Sequence, residues 1–309
     1  MWMRAPEQRV GRYEPDIRGQ IYARRMTANH EKAALVALLK TATRPWHMYA
    51  DAIEQRASAI ALLEEERGLF ARDELDEAVA ELTDWERGGL RLLTVLDPDY
   101  PENLRTVYDR PPLIFVSGSL QPADARSVAV VGTRRASVDG LARAQAIAEH
   151  LASAGYTVIS GLAAGIDTHA HTTALRHGGR TVAVIGTGLR RTYPLENAEL
   201  QRRIARDCAV VSQFWPDSPP TPKSFLTRNA TMSGLALATI VVEASRTSGA
   251  RAQARLALEH GRPVLLPESL LDQPWARDFA DRPGAHLVRN PDEITAVIER
   301  LSSPGALVP

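Results

Sequence analysis

The segment that decides the fold is residues 127–167, which read SVAVVGTRRASVDGLARAQAIAEHLASAGYTVISGLAAGID. It begins with a short apolar run, Val128–Val131, of the β-branched kind that suits a strand buried on both faces. A stretch of helical length follows and ends at Gly155, a good C′ residue, before a second apolar run at Thr157–Ser160. The apolar face of the predicted helix consists of Leu141, Ala144, Ile147, Ala148 and Leu151. The order strand, helix and strand predicts a parallel crossover unit.

The same alternation continues towards the C-terminus. Further short apolar runs are separated by stretches of helical length, and these runs are Thr181–Ile185, Ala209–Ser212, Thr239–Val242 and Pro263–Leu266. Repeated alternation of this kind predicts an α/β fold with a doubly wound, mostly parallel sheet. Two weaker extended runs, Leu92–Leu96 and Leu113–Val116, lie in a connector rich in Asp and Pro that precedes the sheet.

The N-terminal part has a different pattern. Apolar residues recur there at helical spacing, as at Leu35, Leu38 and Leu39, and Pro45 interrupts the first helix. We therefore expect three parts along the chain. Residues 1–26 form a disordered arm, residues 27–90 form a small helical domain, and residues 91–309 form the α/β domain together with its connector.

Composition excludes several classes of protein. The single cysteine, Cys208, rules out an internal disulfide and fits a reducing compartment. No apolar run approaches the roughly 18 residues of a membrane-spanning helix, and the charged N-terminus lacks the apolar core of a secretory signal. These features predict a cytoplasmic protein that does not contact a membrane.

The charged residues are unevenly distributed. Lys plus Arg and Asp plus Glu number 37 each, so the formal net charge is zero. Residues 48–90 hold twelve acids and four arginines, whereas residues 173–206 hold seven arginines and two glutamates. Residues 223–262 hold one lysine and five arginines against two glutamates. This separation would offer an anionic ligand one favoured face, although ordinary solvated helices explain the charge pattern equally well.

Glycine-bearing turns follow four of the predicted strands. They are Gly132–Arg135, Ser160–Asp167, Gly186–Gly188 and Ser245–Gly249. In an open α/β sheet, ligands bind at the carboxyl ends of the strands, where helix N-termini offer free N–H groups to phosphate. Arg134 can add a planar donor for a phosphate group. The turns therefore predict a ligand that carries phosphate.

Several enzyme sites are not indicated. The chain has neither the glycine spacing of a dinucleotide-binding turn nor the glycine–lysine pattern of a P-loop, so we expect no nucleotide cofactor. His169 and His171 are two residues apart and do not face one way on a helix, and with His177 they find no cysteine or acidic pair to complete a metal site. No Ser–His–Asp or Cys–His arrangement is evident. We therefore expect no metal and no catalytic residues.

A family resemblance adds to this pattern. Several segments resemble the DprA/Smf (DNA-processing protein A) family in motif order and spacing, from about Leu92 to Leu266 and more weakly to Leu301. They read VAVVGTRRAS, SGLAAGIDTHAH, TVAVIGTGLRRTYPLEN, SFLTRNATMSGLALATIVVEA and ARLALEHGRPV. The resemblance implies an extended Rossmann-like fold and binding of single-stranded DNA. It also implies a homodimer, for which Pro263–Val288 is the expected contact region, and loading of a RecA-type recombinase in DNA processing, recombination or natural transformation. Members have no established catalytic centre.

The resemblance also assigns site residues. We expect DNA or phosphate contacts from the glycine turns and from a basic and aromatic segment: Gly132, Thr133, Arg134, Gly161, Gly165, Gly186, Gly188, Lys223, Phe225, Arg228, Asn229, Ser248 and Gly249. Cations that follow a backbone beside an aromatic face are typical of single-strand binding, although Phe225 could equally be a core residue. Structural roles in the pocket are expected for Asp167, His171 and Glu243.

The chain departs from the family pattern in several places. Ala230 stands where a second arginine is common, Ala250–Gln253 replaces the usual S-L-I-T, and Glu268 interrupts the usual P-G-S. We expect no C-terminal winged helix, and the N-terminal helices resemble a degenerate SAM or helix–hairpin–helix domain. Two alternatives stay open: a sensor of small nucleotides, and a nucleotide phosphoribohydrolase of the lysine-decarboxylase-like group, whose P-G-G-x-G-T-x-x-E pattern is missing at Ser245–Gly249.

Overall fold

The computed structural model describes residues 17–68 and 71–302. Four helices come first: α1 (Ile17–Lys40), α2 (Trp46–Arg56), α3 (Ala59–Arg67) and α4 (Ala71–Arg87). The helix α1 begins inside the segment predicted as a disordered arm, and residues 1–16 of that segment lie outside the described residues. Pro45 directly precedes α2, because a proline readily begins a helix but cannot continue one.

A carboxylate from α1 fixes the start of α3. Glu31 accepts hydrogen bonds from the backbone N–H groups of Ala59 (2.6 Å) and Ile60 (3.1 Å) and from the hydroxyl of Ser58 (2.8 Å). The Ser58 hydroxyl oxygen in turn accepts from the N–H of Ala61 at 3.1 Å. These bonds satisfy N–H groups that a helix start leaves unpaired and place a negative charge at its positive end. The helices are therefore joined by polar contacts as well as by their apolar faces.

Nine strands form one sheet. They are β1 (Leu90–Thr94), β2 (Leu113–Gly118), β3 (Ser127–Gly132), β4 (Thr157–Ser160), β5 (Thr181–Val184), β6 (Ala209–Ser212), β7 (Ala238–Glu243), β8 (Val264–Pro267) and β9 (Ala285–Val288). Their order across the sheet is β1-β2-β6-β5-β4-β3-β7-β8-β9. The pairs β1–β2 and β2–β6 are antiparallel, and the strands from β6 to β9 are parallel. The predicted doubly wound α/β fold, preceded by helices, is confirmed.

Among the residues that the structure describes, eight further helices connect and cover the strands. They are α5 (Glu102–Arg105), α6 (Val138–Ser153), α7 (Ile166–Arg176), α8 (Ala198–Asp207), α9 (Pro222–Leu235), α10 (Gly249–Glu259), α11 (Pro274–Ala280) and α12 (Pro291–Ser302). The helices α6, α7 and α12 pack on one face of the sheet, and α9, α10, α11 and the N-terminal helices pack on the other. The helix α8 packs on β2, β5 and β6.

The strand β3 lies at the centre of this arrangement. The chain winds from β3 through β4 and β5 to β6, and then crosses back to place β7 on the other side of β3. Helices that leave β3 and β7 therefore turn away on opposite faces, which opens a crevice at the carboxyl ends of these two strands. This reversal is the topological switch point of the sheet.

The N-terminal helices share a core with the sheet. The ring of Trp85 on α4 lies with its centroid 5.0 Å from that of Phe115 on β2 and 6.0 Å from that of Trp215, and Trp46 on α2 lies 5.4 Å from Trp215. The same apolar cluster runs on from Leu38 in α1 to the residues of β1, β2 and β6. Since the two predicted domains have one continuous apolar layer between them, we expect them to unfold together.

Replacement of Trp85 tests this coupling. Trp85→Ala should lower the free energy of unfolding by about 3–5 kcal/mol, because a large buried ring is removed and the space only partly closes. The loss should appear as one shifted transition when urea unfolding is followed by far-ultraviolet circular dichroism. The matched control is Met48→Ala on α2, where the side chain is 46% exposed, and it should change stability by less than about 0.5 kcal/mol. A variant in which the helices melt early while the sheet keeps its wild-type midpoint would show two independent domains.

Candidate functional site

A crevice of about 430 Å³ lies at the switch point. Its walls come from the turn after β3, from one side of α9, and from the turn between β7 and α10. The lining includes the predicted site residues Gly132, Thr133, Arg134, Asp167, Phe225, Arg228, Asn229, Ser248 and Gly249. The structure therefore brings together, at one place, residues that lie as far apart in sequence as 132 and 249.

The turn after β3 is held by hydrogen bonds on both sides. The N–H of Thr133 donates to the carbonyl of Glu243 at the end of β7 (2.8 Å), and the carbonyl of Thr133 accepts from the N–H of Ile166 (3.3 Å). The Glu243 carboxylate accepts from the hydroxyl of Ser137 (2.6 Å), and Ser137 caps α6. The Glu243 side chain thus anchors α6 and is not part of the crevice lining.

Arg134 projects from this fixed turn and is exposed. Its guanidinium carbon lies 5.5 Å from the centroid of the Phe225 ring, within the range of a cation–π contact. The Phe225 ring is half-buried, and it also contacts the ring of Tyr193, with the two ring centroids 5.4 Å apart. Phe225 is thus neither a core residue nor a free surface residue. One part of its ring packs on the protein, and the ring also borders the crevice.

Arg228 is a buried cation in the floor of the crevice. Its Nη1 donates to the carbonyl oxygens of Gly161 (2.7 Å) and Val184 (2.6 Å), and its Nε donates to the side-chain oxygen of Asn229 (3.2 Å). Burial lowers the pKa of the Arg228 guanidinium, and the charge of Asp167 opposes this effect. An arginine stays protonated in spite of such a shift. Arg228 therefore places a positive charge in the floor of the crevice, close to the Asp167 carboxylate. The hydrogen-bond partners of Arg228 are two backbone carbonyl groups and the Asn229 amide.

Asp167 closes the turn after β4. Its Oδ2 accepts from the N–H groups of Gly161 (3.1 Å) and Ala163 (3.3 Å). Burial raises the pKa of the Asp167 carboxyl, while the nearby Arg228 charge and these N–H groups oppose the rise. The Asp167 carboxylate therefore stabilises the turn through its hydrogen bonds to the backbone.

The turn between β7 and α10 supplies polar groups to the opposite wall. Ser248 caps α10, where its Oγ accepts from the N–H of Ala250 at 3.2 Å, and a Cβ added to Gly249 would meet no atom within 4 Å. The first turn of α10 thus faces an open space with N–H groups that suit an anion. Sequence reasoning singled out Ser248 and Gly249 but missed Ser245 and Thr247, which also line the crevice. Both residues carry a hydroxyl group in the turn Ser245–Gly249, and these groups could have been recognised from the sequence.

At several of the predicted glycines, protein atoms occupy the space that a side chain would need. A Cβ added to Gly161 would lie 2.0 Å from Nη1 of Arg228, and one added to Gly186 would lie 2.6 Å from the Phe225 ring. These glycines make room for protein side chains, and Gly165 and Gly188 likewise lie outside the crevice lining. Gly132 lines the crevice, but a Cβ added there would lie 2.4 Å from the side chain of Ile166. Of the glycines that line the crevice, Gly249 is the one with open space beside it.

Two other predicted residues lie away from the crevice. His171 is fully buried, and its Nδ1 contacts the hydroxyl of Thr181 at 2.6 Å. That hydroxyl donates to the carbonyl of Val158, so it accepts a hydrogen bond from Nδ1–H of a neutral His171. Lys223 is exposed in the first turn of α9, and it lines a neighbouring groove.

The fold assembles a Ser–His–Asp arrangement that the sequence did not indicate. The Oγ of Ser233 lies 2.7 Å from Nδ1 of His260, and Nε2 of His260 lies 2.7 Å from a carboxylate oxygen of Asp109. Ser233 and the side chain of His260 are fully buried. A substrate carbonyl cannot reach a hydroxyl in that position, so this arrangement joins α9 and α10 to the connector and does not form a nucleophilic site.

Candidate metal sites and membrane-spanning helices are both absent from the part of the chain that the structure describes. Within residues 17–68 and 71–302, no group of three or more His, Cys, Asp or Glu side chains is placed to hold a metal ion. Over the same ranges, no helix has the length and apolarity that crossing a bilayer requires.

The burial of His171 predicts a pH dependence of stability. Burial lowers the pKa of His171 to about 3, whereas an unfolded histidine titrates near 6.5. The unfolded chain therefore binds a proton that the folded chain does not, and stability falls as the pH drops from about 6.5 towards 3, by up to about 1.4 kcal/mol per pH unit. His171→Asn keeps a donor for Thr181 and should lack this slope. Urea unfolding of both proteins at pH 7, 6 and 5 measures the difference. Parallel pH profiles would contradict the predicted protonation state.

Comparison with known proteins gives several matches. The family model of DNA recombination-mediator protein A matches residues 91–299. DNA processing protein DprA of Streptococcus pneumoniae R6 is 41% identical over 180 residues, which are 58% of this chain and 64% of that protein. Protein Smf of Escherichia coli K12 is 34% identical over 250 residues, which are 80% of this chain and 66% of that protein. The chain thus spans about two thirds or less of the length of the curated relatives it matches.

Solved structures show the same likeness in three dimensions. The X-ray structure of DprA from Streptococcus pneumoniae superposes with a TM-score of 0.70 at 29% identity, covering 87% of this chain and 97% of that one. The structure of DNA processing protein A from Helicobacter pylori, described for its single-stranded DNA binding mode, has a TM-score of 0.61 at 24% identity. It covers 68% of this chain and 96% of that one, and it shows a shared fold.

Proposed function

The chain belongs to the DNA recombination-mediator protein A family, and from this premise we propose that it binds single-stranded DNA at the switch-point crevice in DNA processing and recombination. The observation that carries the proposal is the pairing of Arg134 with Phe225 beside the buried cation of Arg228. Each nucleotide of a single strand has a charged phosphate and an apolar base face, so a binding site needs both a cation and a stacking surface. The crevice offers a partner for each.

The phosphate is bound by two kinds of group. Arg134 supplies an exposed, planar guanidinium, and the N-terminus of α10 adds the positive end of its helix dipole. Arg228 adds positive potential from below without direct exposure to solvent, and so it is screened less by salt than Arg134. Thr133, Asn229 and Ser248 complete the polar lining.

The base stacks on Phe225. Its ring is already oriented by Tyr193 and by the close approach of Gly186, so little conformational entropy is lost when a base packs against it. A paired base in a duplex has both faces covered by its neighbours and cannot enter. We therefore propose a preference for single-stranded over duplex DNA with little discrimination among bases.

The strand leaves the crevice across the first turn of α9. Lys223 is exposed there, two residues before Phe225, and it holds the next phosphate as the strand passes. The groove that Lys223 lines is bordered by Leu226, which also lines the crevice, so the two spaces are adjacent.

The site is proposed as a binding site rather than an active site. Hydrolysis of a nucleotide needs a base that can reach the substrate, and the Asp167 carboxylate is engaged by two backbone N–H groups. The Ser233 hydroxyl is fully buried. The lining also offers donors for an anion, which come from Thr133, Arg134 and Ser248.

The N-terminal helices have a supporting role in this proposal. Residues 48–90 hold twelve acids against four arginines, and such a surface repels a nucleic acid. Several of the acids are used in ion pairs between elements, as between Glu54 and Arg105 at 3.2 Å and between Asp51 and Arg110 at 2.8 Å. The helices thus stabilise the connector and the edge of the sheet.

Two partners complete the proposal. A homodimer would form through Pro263–Val288, because β9 is the last strand of the sheet and its Leu287 is 42% exposed. A RecA-type recombinase would then receive the strand, since a strand held at an open crevice keeps its neighbouring nucleotides accessible.

Two substitutions separate the phosphate contact from the base contact. Arg134→Ala should weaken binding of an oligonucleotide and lower the slope of log affinity against log salt by about 0.7, the contribution of one phosphate on a single strand. Phe225→Ala should cost about 1–3 kcal/mol of binding energy and leave the slope unchanged. Fluorescence anisotropy at several salt concentrations measures both quantities.

The controls decide between a contact and a loss of fold. Arg206→Ala removes the same charge at the opposite end of the strands, where the side chain is 67% exposed, and binding should not change. Melting temperatures are measured on each variant, because a core role for Phe225 would lower stability and affinity together. Unchanged affinity in both folded crevice variants, or equal affinity of the wild type for a duplex of the same length, would refute the proposed site.

The proposed dimer is tested at the same edge of the sheet. Light scattering at micromolar concentration should give twice the mass of the chain, and Leu287→Arg should give the monomer mass because a charge is introduced into the contact. Leu195→Arg is the matched control, since Leu195 is also exposed but lies before α8. A wild-type mass equal to one chain would exclude this dimer.

A further inference from the structure

A second, smaller recess adjoins the crevice. It has a volume of about 240 Å³ and is lined by four arginines, together with Thr247, Ser248, Ala252 and Phe279. The arginines are Arg246, Arg251, Arg255 and Arg282. Among the described residues that line it, none carries a carboxylate, so the lining has four positive groups and no negative one.

The charges of this recess are only partly compensated. Arg255 pairs with Glu259 at 2.5 Å, one helical turn further along α10. Arg251 donates to the backbone carbonyl of Arg246 at 3.2 Å, and Arg282 lies 5.1 Å from the centroid of the Phe279 ring. Within residues 17–68 and 71–302, none of Arg246, Arg251 and Arg282 has an ion-pair partner. Arg251 and Arg255 are also four residues apart on one helix, a spacing at which like charges repel.

The recess is continuous with the crevice. Thr247 and Ser248 line both, and the first turn of α10 lies between them. On that helix, Ala250 and Gln253 face the crevice, whereas Arg251 and Arg255 face the recess. A chain of phosphates that reaches the helix start from the crevice therefore meets these guanidinium groups next.

We infer that the single strand held in the crevice continues over the first turn of α10, with its phosphodiester backbone across Arg246 and Arg251. This inference rests on the proposed function. Among the described residues, Arg246 and Arg251 have no ion-pair partner, and a ligand with regularly spaced negative charges relieves the repulsion among the cations of the recess. The recess binds phosphates without reading bases, because the Phe279 ring beneath it is buried and offers no stacking face.

The test compares short and long oligonucleotides of thymidine. A strand of about 4–6 nucleotides fills the crevice alone, whereas one of about 20 nucleotides also reaches the recess. For the double variant Arg246→Ala, Arg251→Ala, the salt slope for the long strand should fall by about 1.4, the value for two phosphates, while binding of the short strand is unchanged. Arg134→Ala should weaken both, and Arg206→Ala should weaken neither. Replacement of Arg246 and Arg251 by lysine should keep most of the slope.

Each outcome separates the two proposals. If Arg134→Ala weakens binding but the double variant behaves like Arg206→Ala for the long strand, the recess is not part of the path and the crevice proposal stands. If the wild type binds neither strand, the proposed function fails and the inference fails with it. Polyglutamate is added as a competitor, and displacement of the long strand from the wild type as readily as by unlabelled oligonucleotide would show a general anion surface and overturn the inference.

Discussion

The guanidinium of Arg228 joins three parts of the molecule that the chain supplies separately. From α9 it reaches the carbonyl after β4 and the carbonyl at the end of β5, so that a helix on one face is fixed to the carboxyl ends of two strands. Without this cation, two buried carbonyl groups would lose their donor, and an unpaired buried polar group costs about 1–3 kcal/mol. Gly161 is required for the same reason, because a side chain there would occupy the space of the guanidinium.

The position of Arg228 also explains why the crevice suits an anion before any ligand arrives. A charge that is held by carbonyl dipoles cannot reorient, and the nearby Asp167 carboxylate acts on it without forming an ion pair. Arg134, the N-terminus of α10 and the hydroxyl groups of Ser245 and Thr247 then surround a region whose potential is already positive. Zero net charge of the whole chain conceals this arrangement, since the excess of acids lies on the N-terminal helices.

The sequence was sufficient for the fold but not for all of the site. Buried parallel strands need apolar β-branched runs, and those runs were visible from β3 to β8. The strand β9 was missed because Ala285–Val288 is short and partly exposed, so that it has no such run. A glycine in a sequence does not reveal which atom needs its space, and at Gly161 and Gly186 that atom belongs to the protein. The buried set of Ser233, His260 and Asp109 depends on tertiary contacts and has no local pattern.

The central pairing of β3 with β7 has a consequence for how the molecule is made. Ala238 lies 110 residues after its partner Val128, so one edge of β3 has no neighbouring strand until most of the chain has left the ribosome. Pairings over such distances form slowly, and an open strand edge in a nascent chain invites association with other chains. The N-terminal helices and the strands β3 to β6 can meet earlier. The crevice, whose walls extend from residue 131 to residue 253, is complete only after the second half of the sheet has joined the first.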